Sequence, residues 1–563
     1  MDKKGLYIFG LVLLNLGTPG LVRASELDFI PNIRSTAAYS ESSQNGPIDS
    51  SYLELSTSAA LSYQSSRLSS FASITNRYFY RDLEGQSENE NFWAGNYNTR
   101  YEALKSNVFL IAYGNQSYNS INSSTLLIDD LATQPQNQTK TRSNNIGFEL
   151  NNAQNGWVSI SGRAIGSIFE SERSSTSESS FENTNYNSRF NIRSGKRFSQ
   201  LGWNVNTTFR KTDREDNTES IRRSLDANIQ YQLIESIDFL MNYRESKQRF
   251  ESITSSNDTF SSYGFGLRYS VNENFVGLLY NKIDEQSRFS DTGGDSFYSI
   301  NFRLRLSPRT SLTGSRDQDF YGDRNSLAFN YASRKLRISS RYNEEVTSTS
   351  SIFDSSIGGV FVCPTNYLTV DDCFIPDTLS YVLQPGEQFE DLSTFQDNIN
   401  DEDRVRKSWI MNAGYQFNRL TLSLQGRRTQ TTFLGSENDT LQHAASGTIN
   451  MRIGVKTSVR GRAAVVHSDR AFDAFDSLDE GSRSYLGSIG LYYQLNESVN
   501  FYIEGQYRDF QTSSSTNDYQ ERRVLLTFRY YPSHSRNNRR NAVSNINENT
   551  TNNNESIGGF NQF

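Results

Sequence analysis

The stretch "DANIQYQLIESIDFLMNYRES", residues 226–246, carries an apolar side chain at every second position, turns at Glu235-Ser236, and then alternates again. Ala227, Ile229, Tyr231 and Leu233 fall on one face, with Asp226, Asn228, Gln230 and Gln232 on the other. Past the turn, Ile237, Phe239, Met241 and Tyr243 oppose Asp238, Asn242 and Arg244. A period of two is a strand with unlike sides, and a two-residue connection makes the pair a hairpin. The fold depends on what each side faces.

The pattern recurs along the chain. "SYLELSTSAALSY" sets Leu53, Leu55, Ala59, Leu61 and Tyr63 against Glu54, Ser56, Ser58 and Ser62. "INFRLRLS" sets Ile300, Phe302, Leu304 and Leu306 against Asn301, Arg303 and Arg305. It persists from about Ile33 to Tyr531 without a helical stretch, and predicts roughly 24 strands with an error of about two. Tight connections such as Ser65-Ser66, Asn155-Gly156, Glu235-Ser236, Asn272 to Asn274 and Glu497-Ser498 alternate with longer polar ones at 81–92, 121–142, 170–183, 211–220, 247–260, 351–403 and 511–520. Loops sorted by end are the polarity of an outer-membrane barrel, with periplasmic turns and extracellular loops. Tyr63-Gln64, Tyr231-Gln232, Tyr415-Gln416 and Tyr493-Gln494 each precede a tight turn, where tyrosine suits a periplasmic aromatic girdle. The expected fold is an all-β, transmembrane, antiparallel up-and-down β-barrel with its apolar side on lipid and its polar side on a wet lumen.

Composition agrees. The 563 residues are only 35% hydrophobic yet 13% aromatic, too polar for a large soluble core and too aromatic for a disordered chain. A formal net charge of −7 argues against a nucleic-acid partner. Lys3 and Lys4, the run "GLYIFGLVLLNLG" and small Ala24 read as a secretory signal peptide over 1–24. The barrel is then expected over 25–532, in the bacterial outer membrane, with 351–403 as a long extracellular loop or insertion. Strands beginning directly after the signal peptide leave no room for a plug domain. The Asn-rich tail 533–563 loses all alternation and reads as disordered. "RRVLLTFRYY" has the better strand character for the last barrel strand, so Phe528 and Tyr530 are the expected signal for the barrel assembly machinery, with Phe563 as the alternative.

The segment "LSPRTSLTGSRDQDFYGDRNSLAFNYASRKLRISSRYNEEVTSTS", 306–350, is more specific. Its Ser307-Pro308-Arg309-Thr310 turn, Phe320-Tyr321-Gly322, the strand start at Ser326-Leu327, and Ser340-Arg341-Tyr342-Asn343-Glu344-Glu345-Val346-Thr347 resemble the outer-membrane barrels associated with PEP-CTERM/exosortase systems of exopolysaccharide-producing bacteria. "FIPNIRSTAAYSES" is similar to that family's first mature strand, without the usual aspartate-asparagine pair after Tyr39. The resemblance implies a location and a system rather than a reaction. It points to a conduit or scaffold for polysaccharide export or surface assembly, with outer-membrane lipid, acidic polysaccharide and export-system proteins as partners and no cofactor. A general or anion-preferring porin is the alternative, and an outer-membrane hydrolase a third class.

Candidate chemistry is sparse. His443, His467 and His534 are the three histidines, with Asp469 close to the second. In so serine-rich a chain, a Ser-His-Asp proximity arises by chance, so polar rim residues are expected and no catalytic or metal site is assigned. Cys363 and Cys373, close together in an exported chain, read as a disulfide. Inward positions of the alternation are repeatedly basic: Arg189, Arg193, Arg303, Arg305, Arg337, Arg341, Arg427, Arg452, Arg460, Arg462 and Arg529. Inward acids such as Glu54, Glu149 and Glu504 are fewer. The strip Arg303, Arg305, Arg337, Arg341, Arg427, Arg452, Arg460 and Arg462 is therefore the expected lining of an anion path, unless neighbouring carboxylates neutralise it.

Overall fold

The computed structural model describes residues within 26–530, apart from connecting segments of which the longest are 121–130, 286–294, 348–360, 365–386, 391–403 and 472–480. The signal peptide and the Asn-rich tail lie outside the described residues. Twenty-four strands form one closed antiparallel sheet, from Glu26–Ser43 to Tyr519–Tyr530. Neighbours in the sheet are neighbours in sequence, except where the last strand closes on the first, Ile33 opposite Tyr530 through Ser43 opposite Gln520. A separate two-stranded ribbon, Phe361–Pro364 with Glu387–Glu390, lies within the 351–403 insertion. Glu26 to Asn32 pair only with the second strand, Pro47–Gln64, so Pro31 occupies a strand segment with one free edge. Proline tolerates that position because it has no N–H to give a second neighbour.

In the 226–246 hairpin, Ala227 stands opposite Tyr243, Ile229 opposite Met241 and Tyr231 opposite Phe239. On the other face Asp226 meets Arg244 and Asn228 meets Asn242. Burial is inverted relative to a soluble protein. Tyr298 and Ile489 are 63% and 67% exposed, whereas Arg244 and Asn281 are 5% and 1% exposed. Large apolar side chains in such numbers on a closed outer wall are stable only against hydrocarbon, and closure leaves no strand edge unpaired beyond Glu26 to Asn32. The chain is a bacterial outer-membrane β-barrel. Tyr63, Tyr231, Tyr415 and Tyr493 share the outward register at the tight-turn end, as a periplasmic girdle requires. Asn272 and Asn418, with φ of 55° and 44°, begin two of those turns, since asparagine tolerates the left-handed conformation that two-residue hairpins need.

The far end departs from the expected loops. Arg81, Asp82 and Leu83 and then Gln86 to Phe92 are strand, so the connection placed at 81–92 shrinks to 84–85. The segments 211–220 and 247–260 are likewise mostly strand, 511–520 is strand at both ends, and Gln138 to Arg142 belongs to a strand as well. Above the lipid neither face of a strand needs to be apolar, so pairing continues where alternation stops. The protein extracted from membranes is expected to migrate faster on gel electrophoresis before boiling than after, since a closed sheet resists detergent. Migration without any heat shift, from a soluble periplasmic fraction, would contradict the fold.

Candidate lumen site

All eight arginines of the expected strip take the inward register. Arg303 lies opposite Phe275, with its guanidinium 5.5 Å from the ring centroid, and Arg268 stacks on the same ring at 3.9 Å. Arg305 pairs with Glu273 at the periplasmic turn, Arg427 donates from Nε to Thr429 Oγ1 at 3.0 Å, and Glu504 acts electrostatically on Arg462. The strip is not one site. Arg337, Arg341, Arg427, Arg452, Arg460 and Arg462 belong to strands from Leu336–Thr347 to Thr457–Ala471, whereas of the eight Arg303 alone lines a lumen cavity formed largely by earlier strands.

That cavity, of about 1120 Å³, is bounded by wall residues from Ser159 to Val346. Nine arginines and Lys196 line it against the four carboxylates of Asp226, Asp319, Glu344 and Glu345. Arg189 and Arg193 are legible in the sequence as inward cations, and Arg210 and Arg244 as polar-face residues of their strands, whereas Arg163, Arg222, Arg268 and Arg324 are not singled out. Their signal was the same alternation, one residue out of phase with the apolar positions. Asparagines fill the spaces: Asn191 donates from Nδ2 to both Asn204 Oδ1 and Asn206 Oδ1 at 2.5 Å, and Asn187, Asn228 and Asn301 share the lining. Primary amides offer both donors and acceptors, and guanidinium groups offer forked donors to carboxylates and sulfates.

One side of the cavity is formed by a hairpin tip that reaches inward. Strands Thr310–Asp319 and Gly322–Ala332 are joined by Phe320-Tyr321, and Gly322 adopts a φ of 109° that a side chain would disfavour. Phe320 is fully buried among Phe260, Phe297, Val346 and Val405. Arg222 lies over its ring at 5.3 Å and reaches Asp319 at 3.7 Å and the Val346 carbonyl at 3.3 Å. Arg244 ties Asp226 at 2.5 Å to Asp317 and donates to the Gln318 carbonyl at 3.1 Å. Tyr321 donates its hydroxyl to the Glu344 carbonyl at 3.1 Å, and Asn325 donates to Glu344 Oε2 from its backbone N at 3.0 Å and from Nδ2 at 2.9 Å. The residues carrying the sequence resemblance thus meet in space as a lock between hairpins. Strands Ile237–Glu251 and Thr310–Asp319 are four apart around the wall, and inward Gly264, Gly266 and Gly277 lie between them. A Cβ on Gly264 would collide with the Asn281 side chain, so glycine there leaves room for that inward amide.

A second segment enters the lumen opposite. Leu131, Ala132 and Thr133 belong to the connection after Val108–Ser120 yet touch strands near the closure. Arg81 donates to the Leu131 carbonyl at 2.5 Å, Arg523 donates to Thr133 Oγ1 at 2.9 Å, and Ala132 packs with Ala38, Tyr52 and Phe79. The expected 121–142 loop is therefore partly an internal brace.

His443 and His467 stand directly opposite each other, with His467 Nε2 3.1 Å from Asp469 and Nδ1 3.1 Å from the Ser482 carbonyl, on the outer wall rather than in a cleft. His534 lies outside the described residues, as do the side chain of Cys363 and all of Cys373, so the disulfide expectation is not addressed. Among the described residues, no cluster of three His, Cys, Asp or Glu is placed to hold a metal ion.

No protein-family model matches the chain, and neither does any curated protein sequence. Solved barrels do resemble it. The FrpB iron transporter from Neisseria meningitidis (F5-1 variant) is 9% identical, over 90% of this chain and 83% of that one, with a TM-score of 0.45. The siderophore receptor PirA from Acinetobacter baumannii is 8% identical over 91% and 81%, with a TM-score of 0.38. OmpT, an outer membrane protein of Vibrio cholerae, is 8% identical over 62% of this chain and 98% of that one, with a TM-score of 0.23.

Proposed function

We propose that the barrel binds and guides an acidic polysaccharide through or against its lumen, as a conduit or scaffold of a PEP-CTERM-type exopolysaccharide system, and catalyses no reaction itself. The observation that carries this reading is the lining of the lumen cavity described above. Ten cationic side chains face four carboxylates in a wall otherwise rich in asparagine amides. A low-dielectric wall concentrates the field of those cations on anions, and amides satisfy sugar hydroxyls without discriminating strongly among them. The sequence resemblance over 306–350 supports the assignment to such a system.

An anion-preferring pore is the second reading, favoured by the same excess of inward charge. Planar-bilayer recordings under a KCl gradient should give a reversal potential on the chloride side, and short polygalacturonate chains added to one chamber should reduce the current. Replacing Arg189, Arg193, Arg268 and Arg303 by glutamine should lower chloride preference severalfold. The same change at Arg337, Arg341, Arg427 and Arg452, outside that cavity, should have the smaller effect. Cation preference would remove both readings, and chloride preference without any block by polygalacturonate would leave the pore alone.

A further inference from the structure

The outer wall carries a row of polar and basic side chains, two of them arginines, where purely apolar lipid-facing side chains would be expected. Trp409 stands opposite Arg428, Arg428 opposite His443, His443 opposite His467, and His467 opposite Arg483, so five consecutive strands contribute to one oblique line. Each of these positions is an even number of residues from an exposed apolar neighbour on its own strand: Met411, Leu424, Ile449, Ala463 and Tyr485. The row is therefore outward, and it lies toward the long-loop end of each strand, at the extracellular margin of the apolar band.

Arg428 and Arg483 differ from those outward cations that carboxylates hold. Lys211 is held by Asp213 at 3.0 Å and Glu219 at 2.8 Å, Arg142 by Glu170 at 3.4 Å and Glu172 at 3.1 Å, and Arg316 by Asp323 at 3.2 Å. Among the described residues, Arg428 and Arg483 make no ion pair, and both are exposed. Three strand spacings separate them, about 14 Å. Beneath the row the wall flattens: Gly447 stands opposite Ala463 and Ala463 opposite Gly487, and a Cβ on Gly487 would meet nothing within 4 Å.

We propose that this row docks a phosphorylated glycolipid of the outer leaflet, with anionic headgroup groups on Arg428 and Arg483 and acyl chains along the flattened wall below. Arginine forks match phosphate oxygens, and the indole of Trp409 suits the same interfacial depth. An exposed cation pair above a smooth apolar surface is complementary to an amphiphile with an anionic head. A soluble anion would have no use for the apolar part.

Native mass spectrometry of the full-length barrel in detergent, with bis-phosphorylated lipid A as the probe, tests the proposal. Retention of the phosphorylated lipid should exceed that of its dephosphorylated form. Arg428→Gln with Arg483→Gln should weaken retention roughly 30-fold, at the usual worth of two basic side chains near an anionic lipid surface. Arg428→Lys with Arg483→Lys should keep most of it, and Lys211→Gln with Arg316→Gln should leave it intact. A heat shift on gel electrophoresis identifies variants that have folded, and the lysine pair provides the comparison if the glutamine pair does not fold. Equal retention of both lipid forms, unchanged retention in the folded glutamine pair, displacement by millimolar inorganic phosphate, or a second copy of the chain occupying the face would each overturn the proposal.

Discussion

Replacing Phe528 and Tyr530 together by aspartate is expected to leave no folded barrel in the outer membrane. Both side chains point outward from the last strand, Tyr519–Tyr530, and Phe528 packs on Phe501 with ring centroids 5.3 Å apart. A charge on the lipid face costs about 2–4 kcal/mol for a basic residue at mid-bilayer, less for an acidic one and less toward the interface, and the lost aromatic pair adds about 0.5–1.5 kcal/mol. The same strand must also close on the first, so the change strikes the join. Deleting 533–563 removes none of these contacts and should leave insertion intact. Heat-modifiable migration of outer-membrane fractions reads both variants. Normal insertion of the double-aspartate chain, or failure of the truncation, would move the assembly signal to Phe563.

Arg244→Ala should be the most damaging single change inside the lumen. Its guanidinium serves Asp226, Asp317 and the Gln318 carbonyl at once, and its side chain is 6% exposed. Removing one member of a buried ionic network costs about 3–5 kcal/mol, because the remaining charges stay desolvated without a partner. The inward tip at Phe320-Tyr321 should then release from strand Ile237–Glu251, leaving Arg222 as its remaining tie to strand Glu219–Ile234. The folded variant should show larger or noisier single-channel conductance and a lower denaturation temperature. Arg244→Lys should recover only part of the loss, since one ammonium cannot serve both carboxylates and a carbonyl with the guanidinium's fixed fork. Conductance and thermal stability both equal to the unsubstituted protein would show that the lock does not hold the tip.

The architecture was legible because lipid imposes period-two alternation on each crossing, and 226–246 displays it without interruption. The inward register of Arg303, Arg337 and Arg462 follows from that parity alone. Alternation is silent where lipid is absent, which is why 81–92 read as a loop although Arg81 and Phe92 lie in paired strands. It is also silent about curvature. Nothing in the spacing of Arg244 and Asp317 brings them together; the closed wall and the inward hairpin tip at Phe320-Tyr321 do. The strip consequently looked like one lining, whereas the cavity draws on Arg163, Arg210 and Arg222 instead of Arg427 or Arg452.

The join between first and last strands also bears on how the chain reaches this form. Thr36 and Thr527 approach hydroxyl to hydroxyl at 3.1 Å although 491 positions separate them in sequence. Nearly every other strand pairing links consecutive hairpin partners and demands only short loop closures. Contact order is therefore low along almost the entire wall and extreme at one line. Hairpins can zip in succession, but the entropy of bringing the ends together falls on a single late event. Until then both terminal strands present unpaired edges, and the segment bearing Pro31 keeps one afterwards, blunted against a further strand by the N–H that proline lacks.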